Sequence, residues 1–253
     1  MTSPSGTINQ IIHIAANSSI AEYSWKDRGL APRGYITGMA VAFARVYCKL
    51  KSGDDSAHEM AKANTGDDSK DCLAWYNQEF LDIGMDNSAD GTDTLRHLFV
   101  LLTGLGMRES SGQYCEGRDI AASNTTAETA EAGLFQTSYN ARHGNPLLLN
   151  LLRKYANSSD LIEIFKVGVR CSAANLENFG EGQGREFQRL TKACPAFAVE
   201  FAAVALRNIR THWGPINRRD AELRNECDLM LKDIQNAVDN FKLCPLVLTI
   251  TDH

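Results

Sequence analysis

The sequence predicts a mainly α-helical fold. Apolar residues recur at helical spacing along most of the chain, and the period-two alternation typical of strands is scarce. With 253 residues and 43% hydrophobic content, the chain is long enough to bury a sizeable core. We therefore expect one domain that spans residues 1–253.

Helical segments follow one another along the whole chain. After a short apolar segment at 11–16, periodicity predicts helices at 34–50, 71–83, 92–107, 146–155, 160–169, 195–212 and 218–241. Thr92 or Asp93 is expected to cap the third of these helices, and Pro146 to open the fourth. Polar loops are expected at 52–70 and 114–131, and the apolar residues 247–250 predict a short strand.

Glu109 is the most informative single residue of the chain. It falls at helical spacing after Leu98, Leu102 and Leu105, so it is the acidic member of an otherwise apolar helix face. It also lies near the negative end of the helix dipole. Burial and the dipole both disfavour the ionised form, which predicts a raised pKa. A carboxylic acid that stays protonated near neutral pH is what a glycosidase uses to protonate a leaving oxygen.

Two further motifs follow Glu109 along the chain. Residues 109–112 read Glu-Ser-Ser-Gly, residues 133–136 read Gly-Leu-Phe-Gln, and residues 173–182 place Asn178 in an Asn-x-Gly turn after a small-residue segment. In these motifs and their order the chain resembles the lysozyme-like superfamily, specifically goose-type lysozymes and soluble lytic transglycosylases. The resemblance implies a lysozyme-like (α+β) fold with a helical core and an active-site cleft. The motif core would span about 92–182, with helical extensions at both termini.

The resemblance also implies an activity. It implies cleavage of a β-1,4-linked amino-sugar polymer, above all peptidoglycan, with Glu109 as the general acid. Gln136 and the backbone at Gly133 are expected to position the substrate, together with Asn178, and Ser110 is expected to orient the Glu109 carboxyl. Neither a metal ion nor a cofactor is expected to take part.

The motifs do not identify a second catalytic carboxylate beside Glu109 as clearly. Goose-type lysozymes carry an acidic residue two positions after the motif glutamine, where this chain has Ser138. Glu131 and Asp119 are the candidate bases for attack by water with inversion at the sugar. Without such a base, the N-acetyl or 6-hydroxyl group of the substrate would complete the reaction, as it does in lytic transglycosylases.

Aromatic side chains are candidates for stacking on sugar rings. Phe135, Tyr139 and Trp213 are the candidates in this chain, with core filling as the alternative for each. The segment 25–35 is dense in charged and aromatic residues, and it either lines one end of a cleft or forms a solvated entry to the next helix.

Two other functions compete with peptidoglycan cleavage. Hydrolysis of chitin or chitosan would use the same residues, and a catalytically silent glycan-binding protein would keep the fold without turnover. A cysteine nucleophile at Cys115 is disfavoured, because no cysteine–histidine spacing in the chain is typical of a peptidase.

The charge and hydropathy of the chain argue against two further classes of protein, those that bind nucleic acids and those that span a membrane. The net charge is −5 and no long basic tract occurs, which argues against nucleic-acid binding. No apolar stretch is long enough to span a bilayer, and the longest, at 195–206, is typical of a buried core helix. The N-terminus lacks signal-peptide features. We expect a secreted or periplasmic protein whose signal peptide is absent from this chain.

Seven cysteines are scattered singly along the chain. This pattern argues against a structural zinc site and favours an oxidising compartment, with two or three disulfides and at least one thiol unpaired. Cys48 and Cys72 flank the polar 52–70 loop, so we expect a disulfide between them. The Gly-Asp-Asp pairs inside that loop lack the spacing of a calcium-binding loop.

Overall fold

The computed structural model of the chain describes residues 4–119 and 126–249. These residues are mainly helical, which confirms the predicted fold class at that level. The α-helices in chain order are α1 Pro4–Ala16, α2 Arg33–Lys51, α3 Asp55–Ala61, α4 Cys72–Trp75, α5 Asn77–Asp82, α6 Thr92–Ser110, α7 Pro146–Lys154, α8 Ile162–Phe165, α9 Ala173–Leu176, α10 Gly182–Ala193, α11 Pro195–Leu206, α12 Gly214–Asn217, α13 Asn225–Asn240 and α14 Cys244–Val247.

Short 3-10 helices and one small hairpin complete the described elements. The 3-10 helices lie at Ser19–Glu22, Tyr139–Gly144 and Arg210–His212. Strands β1 Ser24–Trp25 and β2 Gly29–Leu30 pair in antiparallel register, with Ser24 opposite Leu30. In the described part of the chain no helix is long and apolar enough to cross a membrane.

Helices α2, α6 and α11 form the centre of the core. The three contact one another, and α11 is buried along its whole length, as expected for the apolar run at 195–206. Helices α1 and α13 pack against α2, and α13 also packs against α6. One continuous hydrophobic cluster runs from Ile11 to Val247. The helices outside 92–182 therefore contribute to the same core as the motif region.

Helix α6 places the candidate acid. It is buried from Thr94 to Met107, and its glycines allow close approach: a Cβ at Gly106 would overlap the Tyr35 hydroxyl. The helix ends where Ser111 and Gly112 take up left-handed backbone angles, with φ of 52° and 74°. The Gly112 amide then bonds back to the Gly106 carbonyl at 3.1 Å, a common way for a helix to terminate.

Several predicted boundaries were wrong. The 71–83 helix breaks at Tyr76, the 160–169 helix shortens to α8, and the 195–212 helix stops at Leu206 before a 3-10 turn. The cap of α6 is Gly91, so Thr92 and Asp93 lie inside the helix. Long helices were found more reliably than short ones, because a four-residue turn leaves little periodic signal.

The predicted strand at 247–250 was also wrong in its described part. Residues 244–247 form helix α14, which Pro245 opens in the position that suits proline, and Ile250 lies outside the described residues. A short apolar run cannot by itself distinguish a strand from a buried helical turn.

The predicted disulfide between Cys48 and Cys72 was wrong. Cys48 pairs with Cys244 and Cys115 pairs with Cys171, while Cys72 is a buried free thiol. Cys194 and Cys227 are also buried and free. The Cys48–Cys244 bond fastens the C-terminal helix α14 to α2. The prediction of two or three disulfides with at least one unpaired thiol is confirmed.

A buried arginine, rather than a disulfide, ties down the 52–70 region. Arg207 donates to both carboxylate oxygens of Asp71, at 2.8 and 3.0 Å, and to the backbone carbonyls of Met60, Lys62 and Ala63. Because the ion pair is buried and hydrogen-bonded, it anchors the middle of the polar segment to the residue that follows its C-terminal end. Part of that segment is helical, since Asp54 caps α3.

Non-reducing peptide mapping is expected to recover Cys48 linked to Cys244 and Cys115 linked to Cys171. The double variant Cys48→Ser/Cys244→Ser should lower the free energy of unfolding by about 3–5 kcal/mol, because the bond closes a very long loop. Cys72, Cys194 and Cys227 should react with alkylating agents only after unfolding. A peptide in which Cys48 is linked to Cys72 would contradict this arrangement.

Candidate functional site

A polar cavity of about 410 Å³ opens at the C-terminal end of α6. It brings together all three predicted catalytic carboxylates, Glu109, Asp119 and Glu131, with the motif residue Gln136. The described residues that line it are Glu109, Glu116, Gly117, Arg118, Asp119, Glu131 and Gln136. Residues from three separate segments therefore meet in one place.

Ser110 joins the end of α6 to the Gly-Leu-Phe-Gln turn. Its hydroxyl lies 3.0 Å from the Gly106 carbonyl oxygen and 2.8 Å from that of Leu134, and can donate to either. The expected contact with the Glu109 carboxyl is not formed, because the hydroxyl is directed to these backbone acceptors. Ser110 thus positions the turn relative to Glu109 without touching the carboxyl.

The turn at 133–136 is held by backbone hydrogen bonds. Ala132 and Thr137 form an antiparallel bridge, and the Gly133 amide donates to the Glu116 carbonyl at 2.8 Å. Gly133 has φ of 75°, and a Cβ there would press on Thr191 at 3.1 Å, so glycine suits both the conformation and the space. The Gln136 side-chain amide donates to the Gly133 carbonyl at 3.1 Å.

Residues from the C-terminal half support the turn from behind. The Trp213 indole N–H donates to the Phe135 carbonyl at 2.7 Å. Burial lowers the pKa of the neighbouring His212 to about 4, although its bond to the Gln136 backbone opposes the shift. His212 is therefore neutral near neutral pH and adds no positive charge beneath the turn.

Glu109 has the electrostatics expected of a general acid. Burial is the main cause that raises its pKa to about 8, and the neighbouring charge of Glu131 raises it further. The Glu109 pKa is lowered by the charges of Arg218, Arg28 and Arg108, but these effects are smaller than that of burial. The raised pKa predicted from the helix face is confirmed, and Glu109 is mostly protonated at neutral pH.

Two other carboxylates in the cavity also have raised pKa values. Burial, and then the charge of Asp119, raises the pKa of Glu131 to about 7. Burial raises the pKa of Glu116 too, while Arg28 partly offsets that shift. As pH rises, Glu131 therefore loses its proton before Glu109 does, which gives the two groups different protonation states near neutral pH.

The β1–β2 hairpin contributes a positive charge at one end of the site. The Arg28 guanidinium donates to the Arg108 carbonyl at 2.6 Å, and Asp27 lies 3.7 Å from the Arg108 guanidinium. Arg28 thus lies at the end of α6, where it lowers the pKa of both Glu109 and Glu116 against the effect of burial. Of the two interpretations of segment 25–35, this position favours the one that places it beside the cleft.

A second cavity of about 260 Å³ continues the first. The two share a wall made of Glu116, Gly117 and Arg118, and the far side of the second consists of Ala174, Asn175, Glu177 and Phe179. The disulfide between Cys115 and Cys171 links the two sides covalently next to this wall. The Arg118 guanidinium stacks on the Phe179 ring, 4.0 Å from its centroid. We call the two cavities together the groove.

Helix α10 supports the far side of the groove. The Gln188 amide donates to the carbonyls of Ala127 and Phe179, and its oxygen accepts from the Phe179 amide. The buried Lys192 ammonium donates to the carbonyls of Asn175 and Glu177 at 2.9 and 2.7 Å. These bonds hold the third motif segment against α10 and connect α10 to Ala127. The sequence analysis did not predict α10, although its apolar residues fall at helical spacing.

Three predicted binding residues lie outside the cavity that holds Glu109. Phe135 and Trp213 are both buried in the core. Tyr139 lines a different cavity of about 440 Å³, bonds to Gln183, and lies under the Arg142 guanidinium. Asn178 contributes to neither wall of the groove, where its neighbours Glu177 and Phe179 lie instead. None of these side chains lines the cavity that holds Glu109, and for Phe135 and Trp213 the structure favours the core-filling alternative.

Sequence reasoning missed several residues that line the groove. Glu116, Gly117 and Arg118 form its shared wall, and Arg28 approaches from the hairpin. The available signal was the position of Cys115, since a disulfide beside the active-site loop fixes the residues that follow it. A Cβ at Gly117 would lie 3.1 Å from the Ala174 carbonyl, so a small residue is favoured there.

The variant Glu109→Gln is expected to stabilise the fold at alkaline pH. Because the folded-state pKa is about 8, against 4.5 for the free group, the wild type loses stability as pH rises from about 4.5 to about 8. The variant avoids this loss, so above about pH 8 its free energy of unfolding should exceed that of the wild type by about 1–2 kcal/mol. Urea unfolding at acidic and alkaline pH measures the difference.

Glu163→Gln is the matched control for this measurement, because Glu163 is exposed on α8 and lies outside the groove. It should show no comparable gain at alkaline pH. An equal effect of Glu109→Gln at acidic and alkaline pH would contradict the raised pKa.

Comparison with known proteins does not extend these observations. No protein-family model, curated protein or solved structure matches the chain. The described residues establish a mainly helical architecture.

Proposed function

We propose that the protein cleaves β-1,4-linked amino-sugar polymers on a lysozyme-like fold, with Glu109 as the general acid. The observation that carries the proposal is the protonated Glu109 at the wall of an open polar cavity, with a second buried carboxylate, Glu131, in the same cavity. Peptidoglycan is the polymer that the motif resemblance implies. The two disulfides are compatible with a secreted or periplasmic location.

Glu109 supplies the proton that the leaving group needs. A glycosidic oxygen that enters the cavity receives the Glu109 proton as its bond to the anomeric carbon breaks. Burial keeps that proton on Glu109 near neutral pH, where an exposed glutamate would be ionised. The backbone of the 133–136 turn, which Ser110 holds beside Glu109, offers rigid polar groups for positioning the sugar.

Glu131 is the better candidate for the second catalytic group. It lines the same cavity as Glu109 and ionises at lower pH, so near neutral pH one group can donate a proton while the other accepts one. Asp119 lines the cavity as well and raises the pKa of Glu131 by its charge. In this arrangement Glu131 takes a proton from water, which attacks the anomeric carbon with inversion. In the lytic transglycosylase route a group of the substrate replaces the water.

Glu109→Gln is expected to abolish turnover while preserving the fold. The amide fills the same space but cannot donate the proton, so kcat should fall by at least about 10²–10⁴-fold. Digestion of purified peptidoglycan, and of chitin and chitosan, with mass spectrometry of the products measures this loss. Glu163→Gln serves as the control and should keep full activity. Undiminished cleavage by Glu109→Gln would refute its role as the acid.

Glu131→Gln is expected to lower turnover more than Asp119→Asn does. Removing the base stops water activation, whereas removing Asp119 only lowers the Glu131 pKa. The wild-type rate should rise with pH through about 7, as Glu131 ionises, and fall through about 8, as Glu109 ionises.

The reaction products distinguish hydrolysis, transglycosylation and the alternative of a glycan-binding protein without turnover. Products with reducing ends, together with near-complete loss of turnover in Glu131→Gln, would support hydrolysis with Glu131 as base. Near-wild-type rates for both variants, with 1,6-anhydro ends and no loss of rate at acidic pH, would show transglycosylation instead. Absence of any product from all three polymers would leave a glycan-binding protein without turnover.

A further inference from the structure

The walls of the groove are strongly acidic. Among the described residues, the two cavities are lined by five carboxylates and by one guanidinium, that of Arg118; the carboxylates are Glu109, Glu116, Asp119, Glu131 and Glu177. Arg28, Arg108 and Arg218 lie close enough to affect the Glu109 pKa, but they are not part of either wall. The described walls of the groove therefore carry more carboxyl groups than cationic groups, and those carboxyl groups offer a ligand several hydrogen-bond acceptors.

Three of these carboxylates have no cationic partner within the described part of the chain. Glu109, Glu116 and Glu131 form no ion pair and accept no side-chain hydrogen bond from described residues, whereas buried carboxylates elsewhere, such as Asp71, are paired with arginine. Partly buried, unpaired carboxylates destabilise a fold, so their clustering around one cavity calls for a ligand that supplies the missing donors.

The chemistry of the ligand follows from that requirement. An ammonium group is a compact cation with three N–H donors, which suits a wall of several carboxylates better than a neutral amide does. Within amino-sugar polymers, an ammonium group occurs wherever the N-acetyl group is missing. An anionic peptide or lactyl substituent, in contrast, would meet the same carboxylates with repulsion.

We propose that the groove binds amino-sugar units whose amino groups are free, so that the preferred substrate is a glucosamine-rich, positively charged chain. This inference rests on the proposed function and names the substrate class of the same site. It applies to chitosan-like polymers and to de-N-acetylated stretches of peptidoglycan alike, because both present the same ammonium groups. Glu116 and Glu131 are the carboxylates that receive those groups, since neither forms an ion pair with another residue in the described ranges 4–119 and 126–249.

The proposal also removes one of the substrate-assisted routes. A unit without an N-acetyl group cannot use that group to assist cleavage, so the remaining routes are attack by the substrate's 6-hydroxyl group and attack by water that Glu131 activates. In the water route Glu131 accepts one proton of the water, the water oxygen bonds to the anomeric carbon, the bond from that carbon to the leaving oxygen breaks, and Glu109 gives its proton to that oxygen. Atoms and charges balance without any further reactant.

The test compares glucosamine and N-acetylglucosamine oligosaccharides of matched length at about pH 7, where part of Glu131 is ionised and the free amines still carry part of their positive charge. The wild type should show a kcat/KM on the glucosamine oligosaccharide that is at least about tenfold higher. The preference should decrease at high salt and in Glu116→Gln, but not in the exposed control Glu163→Gln. Peptidoglycan should be cleaved faster after chemical N-deacetylation than before it.

Binding to the Glu109→Gln variant, measured by calorimetry, separates failure of this inference from failure of the proposed function. Cleavage that requires Glu109 but shows equal or greater kcat/KM on the N-acetylated oligosaccharide overturns the inference and leaves the proposed function in place. Preferential binding of the glucosamine oligosaccharide without cleavage by the wild type supports the inference and refutes the enzymatic function. If neither oligosaccharide binds or is cleaved, and peptidoglycan is not cleaved before or after N-deacetylation, both fail.

Discussion

The burial of helix α6 is the constraint on which the rest of the site depends. Because α6 is enclosed from Thr94 to Met107 by α2, α11 and α13, its end can lie in only one place, and Glu109 emerges there with little access to water. Loss of hydration, more than any neighbouring charge, raises the Glu109 pKa to about 8. The same core that stabilises the fold therefore tunes the acid, and a looser packing of α6 would lower its pKa toward that of an ordinary glutamate.

The groove is assembled from segments that lie far apart in the chain and meet through polar contacts. The Ser110 hydroxyl reaches the Leu134 carbonyl, the Gly133 amide reaches Glu116, and Lys192 holds the carbonyls of Asn175 and Glu177. The disulfide between Cys115 and Cys171 adds a covalent link across the groove. These contacts keep the carboxylates at fixed positions, which matters because a pair that divides acid and base roles needs a constant separation.

The candidate site could be predicted in part, and the reasons for success and failure are physical. Glu109 was recognisable because one acidic residue on an apolar helix face is a local pattern that the sequence displays directly. Glu131, Asp119 and Gln136 were found because they lie near the motifs that accompany it. Phe135, Tyr139 and Asn178 were misplaced because the direction of a side chain in a turn depends on what packs behind it. Here Trp213 and helix α10 occupy that space.

The sequence by itself determined the mainly helical fold, the central helices α2, α6 and α11, and the carboxylic acid at the end of α6, because each follows from short-range periodicity. Only the tertiary structure decided which cysteines pair: Cys48 reaches Cys244 across most of the chain, and Asp71 binds Arg207 where a disulfide was expected nearby. It also decided that Glu116 shares a cavity with Glu109 while Tyr139 does not. Pairings of this kind depend on how distant helices pack, which no local pattern of residues records.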